Sequence, residues 1–288
     1  MILFLADGRL GNQLFQYAFL KTIQTNNEKI LVSGFEELIE VFEIKGIINI
    51  NKKNRLLKFL LYKLLKPILN FLSDINALSS MAVHHEKILG KYRRESTKVN
   101  RNKGYLRSLT FIKLGFFQSE AFFDKEVVSP IKIKNNYIDA ANKFLGDIPK
   151  NSHKVFIHIR RSDYKNYKVY GKSTLLPMSY FEQQIEWFKK NKENSFFVFL
   201  SDDCDFIEKE FADLDNKIIS TNNDMGTDFA IMTCCNSAIL SPSSFGWWGS
   251  YMMEQRDVVF APMYWLGFNS KYEYHSGSTP SFSEVVKI

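Results

Sequence analysis

Hydrophobic and polar positions alternate along the chain as short apolar runs followed by amphipathic segments, a pattern typical of strands that lead into helices. At the start of the chain, Ile2–Ala6 is predicted as a buried strand, Asp7–Gly11 as a tight glycine turn and Asn12–Gln24 as a helix. Strand, glycine turn and helix in this order predict a Rossmann-like unit.

The second half of the chain repeats this alternation after a polar stretch, and we predict a domain boundary near Ile148. The predicted strands are Val155–Ile159, Phe196–Leu200, Lys217–Ser220, Ser237–Ser241 and, as the last strand, Val258–Phe260. The predicted helices are Met178–Asn191, Phe206–Phe211, Thr227–Cys235 and Phe245–Glu254. Such alternation indicates a parallel sheet with crossover helices. The sequence therefore predicts an α/β chain with two Rossmann-like domains, residues 1–148 and 149–288, which face a ligand-binding cleft.

Composition narrows the class of partner. The 288 residues are 45% hydrophobic and 24% charged, which is ordinary for a globular protein. A net charge of +7 favours anionic partners such as nucleotides, nucleic acid or an acidic membrane face. The three cysteines match neither a disulfide framework nor a metal-ligand spacing, which favours a reducing, cytoplasmic compartment. We find no signal peptide in MILFLADG and no apolar run long enough to span a membrane.

The most informative segment is VFIHIRRSDY, residues 155–164. A buried strand here ends in His158, Arg160, Arg161 and Asp163. Paired arginines at the end of a buried strand are costly unless an anion meets them. A guanidinium binds phosphate oxygens in a bidentate manner, and ligands of α/β sheets lie at strand ends. We therefore expect a diphosphate site, with a solvated basic turn as the alternative.

Two further polar clusters follow predicted strands of the second half. Asp202 and Asp203 come directly after FFVFL, and Ser243 and Ser244 precede a helix start that offers backbone N–H groups to an anion. An acidic side chain beside a bound nucleotide can recognise a ribose hydroxyl or the N–H donors of guanine. The two aspartates could instead bind a divalent metal or cap a helix.

A basic segment occupies the first half. Residues 46–73 contain Lys52, Lys53, Arg55, Lys58, Lys63 and Lys66 and no acidic residue. Leucines and Phe59 lie between these cations, and Pro67 is expected to interrupt the helix. An amphipathic, basic helix of this length suits peripheral contact with an anionic membrane face. An ordinary surface helix with solvated lysines has the same composition.

Three amides lie on the predicted opening helix. Asn12, Gln13 and Gln16 share one helical face by their spacing of three and four residues. They could contact the hydroxyls of a substrate, or they could form a solvated stripe.

Five motifs together resemble those of the bacterial α-1,2-fucosyltransferases of glycosyltransferase family 11. They are GRLGNQLFQYAF (8–19), HIRRSDY (158–164), LLPMSYF (175–181), FLSDD (199–203) and DFAIMTCCNSAILSPSSFGWWGSY (228–251). They follow the order of the family and cover both halves of the chain. The region between Gly34 and Ile112 matches least.

The resemblance implies a GT-B-like pair of domains and an inverting transfer of L-fucose from GDP-β-L-fucose. The acceptor it implies is the 2-hydroxyl of a terminal galactoside in a surface glycan, with no metal or other cofactor required. Together with the chemistry of the strand ends, it implies donor contacts by His158, Arg160, Arg161, Asp202, Asp203, Asp228, Ser243, Ser244 and Phe245. It adds Gln118, in GFFQSE, to Asn12, Gln13 and Gln16 as acceptor-binding residues.

The chain departs from the family pattern at three positions. Arg9 stands where the family usually has a second glycine, which could alter the choice of acceptor. Ser162 replaces the glycine of HIRRGDY, and Pro242 replaces the asparagine before Ser-Ser-Phe. Both lie beside expected phosphate ligands and leave those ligands intact.

Three residues are candidates for catalytic roles. Arg160 is expected to stabilise the leaving GDP, while Asp163 and Glu120 are the candidates for the base that deprotonates the acceptor. The alternative to an enzyme is a non-catalytic binder of nucleotide or nucleic acid, which the net charge suggests. No nucleic-acid-binding motif occurs. We therefore predict an enzyme that has no nucleic-acid partner.

Overall fold

The computed structural model describes residues 1–25, 28–51, 54–93 and 96–288 and divides into two units. Unit 1 consists of Met1–Lys132 and His275–Gly277, and unit 2 of Ile133–Tyr274 and Ser278–Ile288. The boundary that we predict near Ile148 differs from this division by one helix, residues 135–145, and the assignment of domains 1–148 and 149–288 stays a prediction.

The main sheet of unit 1 has six strands. They are β1 (Ile2–Leu5), β2 (Ile30–Ser33), β3 (Ile47–Asn49), β4 (Leu78–Val83), β5 (Val99–Asn102) and β6 (Leu106–Ile112). Their order in the sheet is β3-β2-β1-β6-β4-β5. Strand β5 runs antiparallel to β4, and the other neighbours are parallel. Every residue of β1 is buried, as expected for a strand covered on both faces.

The helices of unit 1 connect these strands. They are α1 (Leu10–Ile23), α2 (Glu36–Val41), α3 (Arg55–Leu60), a π-helical turn (Leu61–Leu65), α4 (Lys66–Asp74), a 3₁₀ turn (Glu120–Phe122) and α5 (Lys125–Val128). The expectation that Pro67 interrupts the helix is wrong, because Pro67 lies in the first turn of α4, directly after the π turn, where its missing N–H is tolerated. Phe42–Glu43, Glu86–Ile88, Lys91–Arg93 and Lys132–Ile133 are short strands.

The turn between β1 and α1 depends on a glycine. Gly8 has a φ of +91°, and a Cβ atom at this position would lie 2.5 Å from Nδ2 of Asn12. Only glycine avoids both the unfavourable backbone conformation and this clash. The close approach brings the start of α1 directly against the end of the strand.

Unit 2 is also built on a six-stranded sheet. Its strands are β7 (His153–Ile159), β8 (Ser195–Ser201), β9 (Lys217–Ile219), β10 (Ser237–Leu240), β11 (Val259–Pro262) and β12 (Glu284–Val286). All neighbours are parallel, and the order is β9-β8-β7-β10-β11-β12. This is the doubly wound Rossmann order, which reverses between β7 and β10. The prediction that the last strand is Val258–Phe260 is wrong, since β12 follows and is too short for its pattern to be recognised.

Helices and aromatic residues complete unit 2. Its helices are α6 (Asn135–Leu145), α7 (Met178–Asn191), α8 (Cys204–Glu210), α9 (Met225–Thr233), α10 (Ser244–Tyr251) and a 3₁₀ turn (Phe268–Ser270), and its short strands are Lys168–Val169 and Lys172–Ser173. The predicted helix 178–191 is confirmed at both ends. Phe188, Phe197 and Phe199 pack in one apolar cluster under the sheet. None of the described helices is both long and apolar enough to cross a bilayer.

Candidate active site

The reversal point of the unit 2 sheet carries the predicted arginine motif. Because β7 is parallel to β8 and β10, all three strands end at one edge of the sheet. Ser201 at the end of β8 donates its hydroxyl to the carbonyl of Ile159 at 2.8 Å. On the other side, the backbone N–H of Arg160 donates to Oγ of Ser241 at 3.0 Å. Two serines therefore fix the path of the chain where the arginines begin.

Arg160 is held through the inner nitrogen, Nε, of its guanidinium group. Its Nε lies 2.8 Å from Oδ1 of Asp163 and 3.1 Å from Oδ2 of Asp202, and its side chain is 34% exposed. Within the described ranges, the Arg160 side chain donates a hydrogen bond through Nε and none through its Nη groups. A half-buried guanidinium that is anchored through Nε and open at its two Nη groups suits bidentate contact with a diphosphate.

Arg161 is held more tightly by the protein. Its side chain is 13% exposed and its Nε lies 3.3 Å from Oδ2 of Asp203. Its guanidinium carbon lies 3.4 Å from the centroid of the Phe206 ring, in a cation–π contact. The aromatic face and the carboxylate fix the orientation of this second cation beside the first.

Asp202 and Asp203 organise the arginine turn. Asp202 accepts the backbone N–H groups of Arg161 at 2.8 Å and Ser162 at 3.3 Å. Asp203 accepts from Lys165 at 2.9 Å, and this hydrogen bond lowers the pKa of the Asp203 carboxyl. Recognition of a ribose or guanine by these carboxylates stays a prediction.

Helix capping and metal binding are the two alternative roles that the sequence leaves open for this aspartate pair. Asp203 occupies the N-cap position of α8, but its side chain makes no capping hydrogen bond. No cluster of three acidic, histidine or cysteine ligands occurs among the residues that the structure describes.

The third predicted cluster begins α10. The hydroxyl oxygen of Ser243 accepts the backbone N–H of Phe245 and caps the helix. The first-turn N–H groups of α10, beginning at Ser244, follow the end of β10. A helix start with a serine cap beside the reversal point is a favourable place for phosphate oxygens.

His158 lies beneath this helix start as a neutral ring. It is 6% exposed, and burial, assisted by the charge of Arg160, lowers its pKa to about 4. Its ring centroid lies 5.9 Å from that of Phe245. A Cβ atom on Gly246 would approach the ring to 3.0 Å, which explains the glycine after Phe245. His158 is therefore an uncharged ring that packs against the start of α10 at neutral pH.

Asp228 on α9 is an unusually weak acid. Burial raises its pKa to about 7, although the hydroxyl of Ser220 donates to its Oδ1. Asn223 in turn donates to the Ser220 oxygen at 2.9 Å. The side chain is thus poised between its acidic and ionised forms near neutral pH.

Comparison with known proteins identifies the family to which this chain belongs. A model described as glycosyl transferase family 11 matches residues 1–276. The chain belongs to this family. The prediction of an enzyme is confirmed: the chain is a glycosyltransferase.

Curated relatives of this family 11 chain include three sugar-transferring enzymes. An α-1,2-colitosyltransferase of Escherichia coli is 28% identical and covers 90% of each chain. An O-antigen biosynthesis glycosyltransferase of Escherichia coli is 24% identical over 92% of this chain and 95% of the relative. A galactoside α-(1,2)-fucosyltransferase 2 of Hylobates lar is 24% identical over 91% of this chain and 71% of the relative.

A solved structure supports the fold of the family 11 chain. The fucosyltransferase NodZ of Bradyrhizobium superposes with a TM-score of 0.51 at 10% identity and covers 87% of this chain and 92% of NodZ. The predicted GT-B-like fold with two Rossmann-like units is confirmed.

Two of the predicted acceptor amides of the family 11 chain are buried in unit 1. Gln13 donates to the carbonyl of Gly8 at 3.0 Å and accepts the N–H of Leu38 at 2.9 Å. Gln16 donates to the carbonyls of Asp7 at 2.9 Å and Gly115 at 3.1 Å. Both side chains brace the backbone around the glycine turn. Their contact with an acceptor stays a prediction.

The other two acceptor candidates form a pair. Nε2 of Gln118 donates to Oδ1 of Asn12 at 2.6 Å, at a partly buried position. The predicted base Glu120 opens the 3₁₀ turn of unit 1 after the cap Ser119. The other candidate, Asp163, lies in unit 2 in its ion pair with Arg160. Neither is distinguished as the base by these contacts.

Each departure from the family pattern has a structural partner. Arg9 forms an ion pair with Glu37. Ser162, in place of glycine, donates its hydroxyl to the carbonyl of Asp202 at 3.1 Å. The carbonyl of Pro242 accepts the hydroxyl of Tyr164 at 2.6 Å. The last two contacts join the arginine turn to its neighbouring strand ends.

Several residues of the site were not singled out from the sequence. Phe206 supports Arg161, and Lys165 pairs with Asp203. Phe206 begins the helix predicted to follow the strand Phe196–Leu200, and this position offered the one available signal. Lys165 carried none, because its ion pair joins segments 38 residues apart.

Proposed function

We propose that this enzyme transfers L-fucose from GDP-β-L-fucose to the 2-hydroxyl of a terminal galactoside in a surface glycan, with inversion at the anomeric carbon. The observation that carries the proposal is the open guanidinium end of Arg160 at the reversal point of a Rossmann sheet. The fucosyltransferase and colitosyltransferase relatives support the choice of sugar, linkage and galactoside.

In the proposed reaction, the acceptor oxygen attacks the anomeric carbon of fucose while the bond from this carbon to the β-phosphate oxygen breaks. The electron pair of the broken bond leaves with GDP, and the hydroxyl proton passes to a base, Asp163 or Glu120. Negative charge grows on the leaving diphosphate in the transition state. Arg160, Arg161 and the start of α10 therefore stabilise the transition state more than the bound donor.

The proposal includes no metal requirement. The segment from residue 160 to 165 carries three cationic side chains, those of Arg160, Arg161 and Lys165. A guanidinium fork and a helix start can neutralise a diphosphate without a cation. Asp202 and Asp203 then serve to position the arginines, in addition to any contact with the nucleoside.

A donor related to fucose is a second candidate, because one relative is an α-1,2-colitosyltransferase. Colitose lacks the 3-hydroxyl of fucose, so a site built for fucose would leave its partner for that hydroxyl unpaired. When a site hydrogen-bonds the hydroxyl that one donor lacks, the ratio of kcat/KM for the two donors can be large.

The test is a transfer assay with purified protein, a galactoside disaccharide and either GDP-fucose or GDP-colitose. Proton NMR of the product should give an α linkage to position 2 of galactose, and the rate should persist in EDTA. A different linkage, retention of the β configuration, or loss of rate in EDTA with recovery on addition of Mg²⁺ or Mn²⁺ would each contradict the corresponding part. Binding of GDP without turnover of any donor would favour the non-catalytic alternative.

We also propose peripheral contact with an anionic membrane face through the helical segment from Arg55 to Asp74. Its outer surface carries a stripe of large apolar side chains that are 40% to 68% exposed, namely Leu56, Phe59, Leu60, Leu64, Ile68 and Phe71. The opposite surface packs on the sheet through Leu61 and Leu69. An exposed apolar stripe flanked by Lys63 and Lys66 suits the interface of anionic lipids. Lys52 and Lys53, which belong to the predicted segment, lie outside the described residues.

A further inference from the structure

Two segments of unit 2, the arginine turn at residues 160–165 and the link from β10 to α10, are joined by the hydroxyl of a tyrosine. Tyr164 donates this hydroxyl to the carbonyl of Pro242 at 2.6 Å. The pairing of β7 with β10 ends before this point, at His158 and Leu240. Beyond the paired residues, the two segments therefore depend on side-chain hydrogen bonds for their relative position.

Each end of this hydrogen bond adjoins a group of the proposed diphosphate site. Tyr164 follows Asp163, whose Oδ1 accepts from Nε of Arg160 at 2.8 Å. Pro242 precedes Ser243, whose side chain caps α10. A shift of the tyrosine relative to the proline would therefore change the separation between the guanidinium group of Arg160 and the start of the helix.

The Tyr164 hydroxyl is a permanent donor near neutral pH. Burial raises its pKa well above the ordinary value for a tyrosine, and the charge of Asp163 raises it further, against an opposing effect of Arg160. The neutral phenol donates one hydrogen bond, and here that bond is directed at a backbone carbonyl. The residue thus holds a position in the fold and has no ionised form available to act as a base.

A second tyrosine makes the same kind of bond close by in the chain. Tyr180 on α7 is buried and donates its hydroxyl to the carbonyl of Leu240 at 3.2 Å. Leu240, however, is also held by its pairing with His158 in the sheet. Removal of the Tyr180 hydroxyl should therefore lower stability without displacing the start of α10, which makes this residue a matched comparison for Tyr164.

We infer that Tyr164 is a positioning residue for the diphosphate, because its bond to Pro242 holds the Arg160 guanidinium and the start of α10 at the separation that one diphosphate requires. The inference rests on the proposed function, since it takes the diphosphate of a GDP-sugar as the ligand. Preorganised donors act most strongly where charge develops. Their misplacement should lower the rate of the chemical step more than the affinity for the donor.

The experiment compares Tyr164→Phe, which keeps the ring and removes the hydroxyl, with Tyr180→Phe. In Tyr164→Phe the maximal single-turnover rate with GDP-fucose should fall roughly tenfold, while the donor concentration for half-maximal rate changes by less than about twofold. Tyr180→Phe should keep the rate within about twofold of the wild type. It should nevertheless lose at least as much stability in chemical denaturation, because its hydroxyl is the more deeply buried. An unchanged rate in Tyr164→Phe, or equal falls in rate in both variants, would overturn the inference.

A double-mutant cycle tests whether Tyr164 acts through Arg160. If the tyrosine places the guanidinium fork against the helix start, its hydroxyl should matter little once the fork is gone. Tyr164→Phe should therefore lower the rate of an Arg160→Lys enzyme by less than about twofold, against the roughly tenfold fall expected in the wild-type background. Effects of the two substitutions that simply multiply would contradict a role through Arg160.

Binding of GDP and GMP separates this inference from the proposed function. GDP has the terminal phosphate that GMP lacks, and this phosphate carries the charge of the departed leaving group. Tyr164→Phe should raise the GDP Kd about threefold and leave the GMP Kd unchanged, whereas Tyr180→Phe should alter neither. An unchanged ratio of the two Kd values, with normal transfer by the wild type, would refute only the positioning role. The expected change in this ratio, with no turnover of GDP-fucose by the wild type, would refute only the proposed reaction.

Discussion

The guanidinium carbon of Arg161 lies 3.4 Å from the centre of the Phe206 ring, while its Nε pairs with Asp203. An aromatic face on one side and a carboxylate at the edge leave this arginine little freedom. Among the described residues, its neighbour Arg160 is held by hydrogen bond and ion pair through Nε, and its side chain is more exposed. The two cations of the motif therefore differ: Arg161 is fixed in the protein, and Arg160 is the one whose Nη groups we propose to contact the diphosphate.

Because of this difference, a substitution of Arg160 tests most directly whether the arginines stabilise the leaving GDP. Arg160→Lys keeps the charge but replaces the planar fork with a point charge. We expect kcat/KM to fall by about a hundredfold, as for the loss of one preorganised transition-state donor. Steady-state kinetics with GDP-fucose, together with thermal melting, measure the effect.

Arg256→Lys is the matched control for this substitution. Arg256 also stacks on an aromatic ring, 4.0 Å above Phe282, and belongs to the same unit. Its replacement should leave kcat/KM within about twofold, since no part of the strand-end site is removed. Near wild-type turnover by Arg160→Lys would show that the fork does not act on the diphosphate.

The buried acid Asp228 predicts a pH dependence of stability. Its pKa is about 7 in the folded protein, against an ordinary value of 3.8 for an aspartate. Between these values the folded state binds the extra proton, so this group makes the free energy of unfolding fall as pH rises from about 4 to 7. Asp228→Asn should remove an unfavourable contribution of up to about 4 kcal/mol above pH 7.

Chemical denaturation at pH 5 and pH 8 checks this prediction. The variant should gain stability over the wild type at pH 8 and gain less at pH 5. Asp205→Asn, at an exposed position on α8, should show no such difference. An equal gain at both pH values would mean that the ionisation of Asp228 is not the cause.

The apolar stripe on α3 and α4 predicts lipid binding that depends on charge. The protein should sediment with vesicles that contain anionic lipid at low salt, and less at high salt. Each lysine near the surface contributes about 1 kcal/mol, so the double variant Lys63→Glu/Lys66→Glu should bind at least thirtyfold more weakly.

Lys189→Glu/Lys190→Glu on the last turn of α7 makes the same change in net charge away from the stripe. This control should sediment as the wild type does. Equal loss in both variants would indicate an effect of overall charge, and no sedimentation of the wild type at low salt would exclude the proposed contact.

The sequence anticipated the parts of the molecule in which local pattern and tertiary structure agree. Helix 178–191 has both ends where its pattern predicts them, and the strand that ends at Ile159 was found from its β-branched run. Strands β4, β5 and β6 were not predicted. Their segments alternate weakly and carry many polar residues, so sheet pairing rather than pattern determines them.

Side-chain partners were the least predictable feature of the site. The placement of Asp202 after a strand followed from FFVFL, but its acceptance of the Arg161 N–H depends on how two parallel strands end together. In the same way, spacing placed Gln13 and Gln16 on one helical face. It could not show that this face is turned to the backbone of the glycine turn, because amphipathic spacing does not distinguish a substrate from a buried carbonyl.

The last prediction concerns the four amide side chains of unit 1, Asn12, Gln13, Gln16 and Gln118. It distinguishes amides that stabilise the backbone from amides that contact the acceptor. Gln13→Ala leaves the buried N–H of Leu38 without its acceptor, which should lower the free energy of unfolding by roughly 1–3 kcal/mol. Gln118→Ala removes a partly buried hydrogen bond to Asn12, so its cost in stability should be smaller. If Asn12 and Gln118 contact the acceptor, Gln118→Ala should raise the galactoside KM while the GDP Kd and the denaturation midpoint stay close to those of the wild type. Denaturation, GDP titration and transfer kinetics on both variants measure the contrast. A large loss of stability in Gln118→Ala with no change in the galactoside KM would make the Asn12–Gln118 pair a brace like Gln13, and acceptor recognition would then have to come from other residues.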